Sequence, residues 1–574
     1  MTEKLTRLEL TWPGKEDRFN PEPRILLEDK EKSFSYDPTE KSAVEPTYDN
    51  MLIHGDNLLA LKALEQDYTG KVKCIYIDPP FNTGAAFENY DDGLEHSIWI
   101  SLMRDRLEIL KRLLAEDGVI YIHIDDKEMA YLRIIMDEIF LRKNFLNMIV
   151  VKTSDPSGLK TVNPSPYSQT EYILMYARQR NCYKYETQYI PTEYDTSYNK
   201  IITNINEHYQ NWHSENLNEY LAHKLGYADA KEANKKLGKL GFYEKMSDFA
   251  LEHANQIYQA TAISEKAGQA IIELKDESLK KANNVLCLER DDYEDVYVLN
   301  GRQVYFYENK IKIIDGITTP TKPLTNLWTD IPYNGIAKEG GVKFKNGKKP
   351  EKLIRRIIEM STNPGDLVLD SFLGSGTTAA VAHKMGRRWI GVEMGDHVYT
   401  HCIPRLQKVI KGEDAGGVTK STGWLCGGGF KFYELASSLI VKDKYGQQII
   451  SDKYNADMLA EAMCKILGYH YKPDAEKYWK QGFSSEKSFI YTTTMSVQEE
   501  SLDKLSNEVG DDNLLICCSA FVGNKNAFPN ITVKKIPSAI LKKCEWGREG
   551  YPLNLSKYTP KDEDFEFEEG EGEV

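Results

Sequence analysis

Three features of the 574-residue sequence predict an α/β protein whose sheet is split by a large inserted domain and followed by a small C-terminal domain. Short apolar runs alternate with amphipathic stretches from Met51 onward, the alternation stops near residue 178, and it resumes at Leu353. A chain of this length exceeds one ordinary hydrophobic core, so several domains are expected. The division read from these shifts is an N-terminal arm at 1–48, a first sheet segment at 49–177, an inserted domain at 178–335, a second sheet segment at 336–426 and a C-terminal domain at 427–574.

The arm is polar and carries Pro13, Pro21, Pro23, Pro38 and Pro46, which suits irregular chain. Residues 51–54 and 74–77 read as short buried strands around a helix at 58–66, and a strand-helix-strand unit of that length implies parallel pairing. A helix follows at 97–114, broken by Gly118, then a strand at 119–124 and a helix through Phe140 that Asp125 or Asp126 can cap. Two more strands of the same sheet are expected at 147–151 and 172–176, joined by a loop holding Pro156, Gly158, Pro164 and Pro166. The insert is rich in Tyr, Lys and Glu, and its spacing reads as mostly helical from Glu215 to Lys275. The sheet pattern returns as helix 353–360, strand 367–370, helix 377–385, strand 389–393 and helix 397–410, so the two α/β blocks are expected to complete one sheet. From Gly427 a separate small unit is expected, with strand-like runs such as 514–516, an opening glycine run that reads as a flexible turn, and an acidic end.

Composition narrows the function. Hydrophobic residues make up 41% and charged residues 28%, values of a soluble globular chain, and no apolar run approaches the roughly 18 residues of a membrane span. No secretory signal follows Met1, so a cytoplasmic location is expected. Nine cysteines lack paired ligand spacing, which predicts neither disulfides nor a metal site. The net charge of −14 opposes nonspecific attraction to a polyanion, yet much of the acid lies in the tail from Asp562 to Glu573. Lys338, Lys343, Lys345, Lys348, Lys349, Lys352, Arg355 and Arg356 cluster elsewhere, and leave room for a basic surface.

Two constellations carry chemistry. Asp370, Ser371, Phe372, Leu373, Gly374, Ser375, Gly376 and Thr377 stand where a buried strand turns into a helix, and glycines there let a ligand approach free N–H groups. Gly374, Gly376 and Ala379 also satisfy dinucleotide spacing, with Glu393 ending the next strand for ribose hydroxyls, so a nicotinamide or flavin enzyme is a rival. A phosphate loop is disfavoured because no lysine follows the glycines, and a tight turn that binds nothing is the plain alternative. The second constellation is Asp78, Pro79, Pro80 and Phe81, at the carboxyl end of a strand. An aromatic amine is a weak nucleophile because its lone pair is delocalised; a carboxylate and a carbonyl accepting its N–H groups localise that pair. Asp78 offers the carboxylate, Pro79 the carbonyl, and Phe81 a face on which a base can stack, whereas a plain proline turn would explain the tetrapeptide alone.

Together the segments 54–57, 75–84 and 369–378 resemble those of amino-methyltransferases on the Rossmann-like fold. Their order resembles the beta class of DNA methyltransferases, and 10–15, 78–84 and 427–435 resemble modification (Mod) subunits of type III restriction-modification systems. The resemblance implies S-adenosylmethionine as cofactor, lined by Asp370, Phe372, Gly374, Ser375, Gly376 and Thr377, with Glu393 on the ribose and Asp56 and Asn57 toward the adenine end. Lys349 and Pro350 would lead the helix beside its methionine end, and the family more often has Tyr at the position of Phe81. It further implies adenine N6 as the target, since an initial Asp goes with adenine and an initial Ser with cytosine, and it makes the insert the reader of double-stranded DNA, helped by the basic run after Lys338. A homodimer and a restriction (Res) subunit are the implied partners. A cytosine-C5 mechanism is disfavoured because no cysteine follows a proline. An RNA enzyme, a cytosine-N4 enzyme and a noncatalytic specificity module are the alternatives the sequence leaves.

Overall fold

The apolar runs pair edge to edge into a single ten-stranded sheet in the computed structural model, which describes residues 9–36, 49–82, 96–155, 166–291, 293–344, 347–524 and 526–548. In chain order the strands are β1 (Leu26–Tyr36), β2 (Met51–His54), β3 (Val72–Ile77), β4 (Leu114–Ile124), β5 (Phe145–Lys152), β6 (Thr170–Ala177), β7 (Leu327–Trp328), β8 (Leu367–Asp370), β9 (Arg388–Glu393) and β10 (Gly428–Leu435). They lie in the order β1-β10-β2-β9-β8-β3-β4-β6-β5-β7. The run from β10 to β4 is parallel throughout, so the loops after β2, β9, β8 and β3 all emerge at one carboxyl edge. β8 and β9 come from the far side of the insert and slot between β2 and β3. The two α/β blocks therefore build one sheet.

Local sequence explains the helices that cover it. Helix α1 (Asn57–Tyr68) starts where Asp56 accepts the N–H groups of Leu58 and Leu59, and buries Leu58, Leu61 and Leu64. A cap of this kind is worth about 1 kcal/mol. α2 (His96–Leu113) buries Trp99, Met103, Leu107 and Leu110 at helical spacing. α3 (Asp126–Met136) is capped by Asp125, which accepts from Lys127. Past the insert come α4 (Glu351–Glu359), α5 (Thr377–Lys384) and α6 (Ile403–Lys411). One core joins strand residues Ile75, Ile77, Ile120, Ile122, Leu369 and Val392 to α1, α2 and α3.

Several expectations need correction. The arm is not irregular throughout: β1 pairs antiparallel with β10 at the sheet edge. Its residues 26–36 are half-buried or exposed and none is fully buried, which is edge-strand behaviour hidden by the prolines on either side. The glycine run at 427–429 is not a flexible turn opening a separate unit, because β10 is an interior strand between β1 and β2. A Cβ on Gly428, whose φ is +90°, would stand 2.6 Å from the His383 ring, so glycine there serves close approach. The sheet is mixed: β6 runs antiparallel to both β4 and β5. The helix expected through Phe140 leaves α geometry at Met136 for a wide turn at Asp137–Leu141, and that at 397–410 begins with another at Val398–Cys402.

A second compact unit spans 187–325, and the first comprises 1–186 with 326–574. The second contains helices Leu217–Lys224, Ala230–Glu252 and Gln269–Lys280, so the stretch from Glu215 to Lys275 is mostly helical, as expected, but interrupted by a strand. The β-prone Ile257–Ala262 is an interior strand of a six-stranded antiparallel sheet, because paired partners on both sides override the surrounding helical pattern. Beyond β10, residues 470–535 carry a five-stranded sheet whose strand Asn513–Cys518 is buried from Leu514 onward, Cys517 and Cys518 included. The acidic tail, Thr83, Gly84, Pro156, Gly158, Pro164, Lys345 and the side chain of Lys338 lie outside the described residues.

Candidate active site

β3 and β8 are adjacent and parallel, with Leu369 opposite Ile75, so Asp370 and Asp78 leave the sheet side by side although the sequence separates them widely. A small cavity lies between their loops, lined by Asn57, Pro80, Ser371, Phe372, Val392, Glu393 and Met394. The two motifs thus border one small cleft.

The glycine loop is held by its own carboxylates. Asp370 accepts the Phe372 N–H at 2.9 Å and the Thr378 hydroxyl at 2.6 Å. Burial pushes its carboxyl up to about 7, against those two hydrogen bonds. Glu393 accepts the N–H of Gly374 at 2.7 Å through one oxygen, and those of Met394 and Gly395 at 2.8 and 2.9 Å through the other. Gly376, at φ +82°, forms the left-handed entry to α5, where a side chain would be strained. Arg405 donates to Thr377 Oγ1 at 2.7 Å and to the Ser375 carbonyl at 3.3 Å. Behind it, Glu351 binds both Arg405 and Lys384 at 2.7 Å, and Lys384 also binds Asp414 at 2.6 Å, all essentially without solvent exposure.

Asp56 and Asn57 tie the neighbouring strand to this loop. Asn57 donates to the Ser371 carbonyl at 2.8 Å and accepts from Arg106 Nε at 2.5 Å. Asp56 caps α1 through Oδ1, while its buried Oδ2 has the Arg106 guanidinium at 3.7 Å and no hydrogen bond. Ser371 Oγ is likewise buried without a partner. Buried polar atoms of this kind take a partner from outside the chain, a water, an ion or a ligand.

Around the other loop, the Pro80 carbonyl accepts the Trp99 indole N–H at 2.8 Å, which fixes the proline pair. Phe81 is half-buried against the core. Asp78 Oδ1 is buried, accepts no hydrogen bond of normal geometry, and has the Lys349 ammonium at 3.3 Å. Lys349 also stands 3.1 Å from Glu171 and 4.7 Å from the Phe81 ring centre. Glu171 lies 2.6 Å from His123 Nε2, and His123 Nδ1 is 2.9 Å from the Tyr76 hydroxyl. Burial raises the Asp78 carboxyl above its ordinary range, opposed by Lys349 and His123. Burial would lower Lys349, but the Asp78 and Glu171 carboxylates outweigh it and hold the ammonium protonated.

The DNA methylase family model (N6_N4_Mtase) matches residues 72–403, more than half of the chain and both constellations. The chain belongs to the DNA methylase family. It is 36% identical over 464 residues to the HindVI Mod subunit, a probable type III restriction-modification enzyme of Haemophilus influenzae, covering 75% of this chain and 59% of that protein. It is 27% identical to the EcoPI Mod subunit of Escherichia phage P1, covering 65% and 60%, and 27% identical to the type II methyltransferase M.EcaI of Enterobacter cloacae, covering 67% and 75%. The chain thus spans about three fifths of the two Mod subunits. Among solved structures, the M1.HpyAVI–SAM complex matches with TM-score 0.30 and 15% identity over 62% of this chain and 98% of that one.

The structure brings Pro80 of the Asp78–Phe81 loop together with Asn57, Phe372 and Glu393 at one cavity rim. Pro350 does lead α4, as its N-cap, but Lys349 turns its ammonium to the Asp-Pro-Pro loop. Among the described residues most of the basic run is paired, although Lys343 and Lys352 are exposed. Lys348 is buried, donating to the Glu339 and Val342 carbonyls, Lys352 and Arg356 pair with Asp330, and Arg355 pairs with Glu359. Glu171, His123 and Tyr333 escaped sequence reasoning. The signal for two of them was present as a charged or polar residue in an otherwise apolar strand, His123 between Ile122 and Ile124 and Glu171 at the head of β6.

Proposed function

We propose that this methylase transfers a methyl group from S-adenosylmethionine to the N6 amine of adenine in double-stranded DNA, as the modification and specificity subunit of a type III restriction-modification system. The observation that carries the reading is the small cavity between the Asp78 and Gly374 loops, which sets an amine-accepting carboxylate beside the polar and apolar groups of the glycine loop. The residues fit the cofactor. Glu393 would take its ribose hydroxyls, and the orphaned Ser371 Oγ and Asp56 Oδ2 offer further polar partners, with Phe372 and Pro80 as apolar walls. Bound there, it supplies a sulfonium methyl: the amine lone pair forms the new N–C bond, the C–S bond pair stays on sulfur, and the surplus amine proton leaves.

The chain's own residues prepare the amine. A base turned out of the duplex stacks on Phe81, and Asp78 with the Pro79 carbonyl accepts its two N–H groups, which localises the lone pair and aims it. The acceptors need no rearrangement because Trp99 and two prolines hold the loop. The unit at 187–325 is proposed to read the sequence. A second copy and a Res subunit are the proposed partners, supported by the similarity to Mod subunits. Action on cellular DNA implies a cytoplasmic location, and no helix among the described residues is long and apolar enough to cross a membrane. The reading is tested by incubating the protein with labelled S-adenosylmethionine and unmethylated duplex DNA, then identifying the modified nucleoside by mass spectrometry. N6-methyladenine supports it; N4-methylcytosine, or label in RNA alone, replaces it.

A further inference from the structure

The buried chain Asp78, Lys349, Glu171, His123, Tyr76 crosses three adjacent strands and the head of α4, and the methyl-transfer chemistry just described uses only its first member. The register explains the assembly. β4 and β6 pair antiparallel with His123 opposite Ile173, so Glu171 is the diagonal neighbour of His123 on the same face. β3 and β4 pair in parallel with Tyr76 opposite Tyr121, which puts Tyr76 diagonal to His123 from the other side. Lys349 reaches in from the residue before Pro350 and is the cation between two carboxylates.

Its position is informative. The Lys349 ammonium stands 3.3 Å from Asp78 Oδ1 and 4.7 Å from the centre of the Phe81 ring. An amine whose parent base stacks on Phe81 and donates to Asp78 needs that same corner. A base stacked on that face of Phe81 would occupy the space over the ring where the ammonium now stands, 4.7 Å from its centre, so entry of the base requires the ammonium to withdraw. Glu171, already at 3.1 Å and itself braced by His123 at 2.6 Å, remains to hold it.

Resting on the functional reading above, we propose that Lys349 is a stand-in for the target amine, keeping Asp78 ionised while the site is empty, and that Glu171 is the positioning residue that receives the ammonium when the base arrives. A carboxyl sunk in a low-dielectric site tends to take up a proton, and a protonated Asp78 would lose acceptor capacity at the moment it is needed. The groups facing Asp78 are Lys349 and His123, which favour its charge, Glu171 and Asp370, which oppose it, and the hydroxyls of Tyr76 and Tyr333. Lys349 is the cation at ion-pair distance from it. The Tyr333 hydroxyl is buried there without a hydrogen-bond partner and can follow the ammonium as it moves.

The test uses the full chain, saturating S-adenosylmethionine and unmethylated plasmid DNA, and follows kcat/KM for DNA and kcat from about pH 5 to 9. The first reports ionisations of the enzyme before DNA binds, the second those of the full complex. Lys349→Met should lift the acid midpoint of kcat/KM by about 1 pH unit or more and move that of kcat less, because an opposite charge at this range depresses a carboxyl by roughly that amount. Lys349→Arg keeps the cation and should keep the wild-type midpoint. Glu171→Gln removes an anion that opposes Asp78 ionisation and shares Lys349, so its midpoint should move down. Being isosteric, it decides the matter even if Lys349→Met does not fold. Midpoints unchanged in both charge-altering variants, with only rates reduced, would mean a packing role and overturn the proposal. Absence of methyl transfer to DNA by the wild type would overturn the functional reading, and this inference with it.

Discussion

Glu393 accepts the Gly374 N–H at 2.7 Å, so the carboxylate that ends β9 also sets the shape of the glycine loop leaving β8. The other Glu393 oxygen takes two further backbone N–H groups. A group that shapes the loop, and that is proposed to take the ribose hydroxyls as well, must be costly to replace. Glu393→Ala is expected to weaken S-adenosylmethionine binding by about 10- to 100-fold, the value of one or two hydrogen bonds to a charged group. Isothermal titration of the cofactor checks it, and wild-type affinity in the variant would remove Glu393 from the site.

The buried cluster of Glu351, Lys384, Asp414 and Arg405 predicts a stability effect. Lys384 has no exposed surface and bridges two carboxylates. Lys384→Met strands Asp414 as a buried anion, and the expected loss is about 3–5 kcal/mol. A urea titration followed by circular dichroism measures it.

Gly428→Ala tests the placement of β10. The new Cβ would meet the His383 ring at 2.6 Å in a backbone with φ +90°. A destabilisation of about 1–3 kcal/mol is expected. A glycine in a free turn would tolerate the change, and a neutral result would contradict the interior strand.

Asp370 predicts a pH dependence. Burial raises its carboxyl from 3.8 to about 7 in the folded chain, so the folded state binds a proton more tightly than the unfolded one. Stability contributed by this group is present below about pH 4 and is lost as pH rises toward about 7. Asp370→Asn should flatten that slope in melting temperatures measured across the window. An unchanged slope would mean that Asp370 titrates as an ordinary carboxyl.

Much of the site was legible because its key elements are local. Asp78 to Phe81 and Asp370 to Thr377 each follow an apolar run that ends at a turn, and a parallel sheet sends such turns to one edge. Glu171 and His123 were not legible, since their meeting depends on the antiparallel register of β4 against β6 across a long loop. Lys349 was read as a cofactor-side residue beside its helix, yet the direction of one flexible side chain decides where its charge acts. β10 was missed because three successive glycines read as a turn unless the approaching His383 is known. In the inserted unit the helices were legible, but the strand Ile257–Ala262 was missed for a similar reason, since it draws its stability from partners far along the chain.

The most direct measurement is single-turnover methyl transfer from labelled S-adenosylmethionine to unmethylated duplex DNA by the wild type and by Asp78→Asn. The expected result is N6-methyladenine from the wild type, with the rate lowered on the order of 10²–10³-fold in the variant while cofactor affinity is retained. Equal rates in the two proteins would contradict the assignment of Asp78 as the group that accepts the target amine.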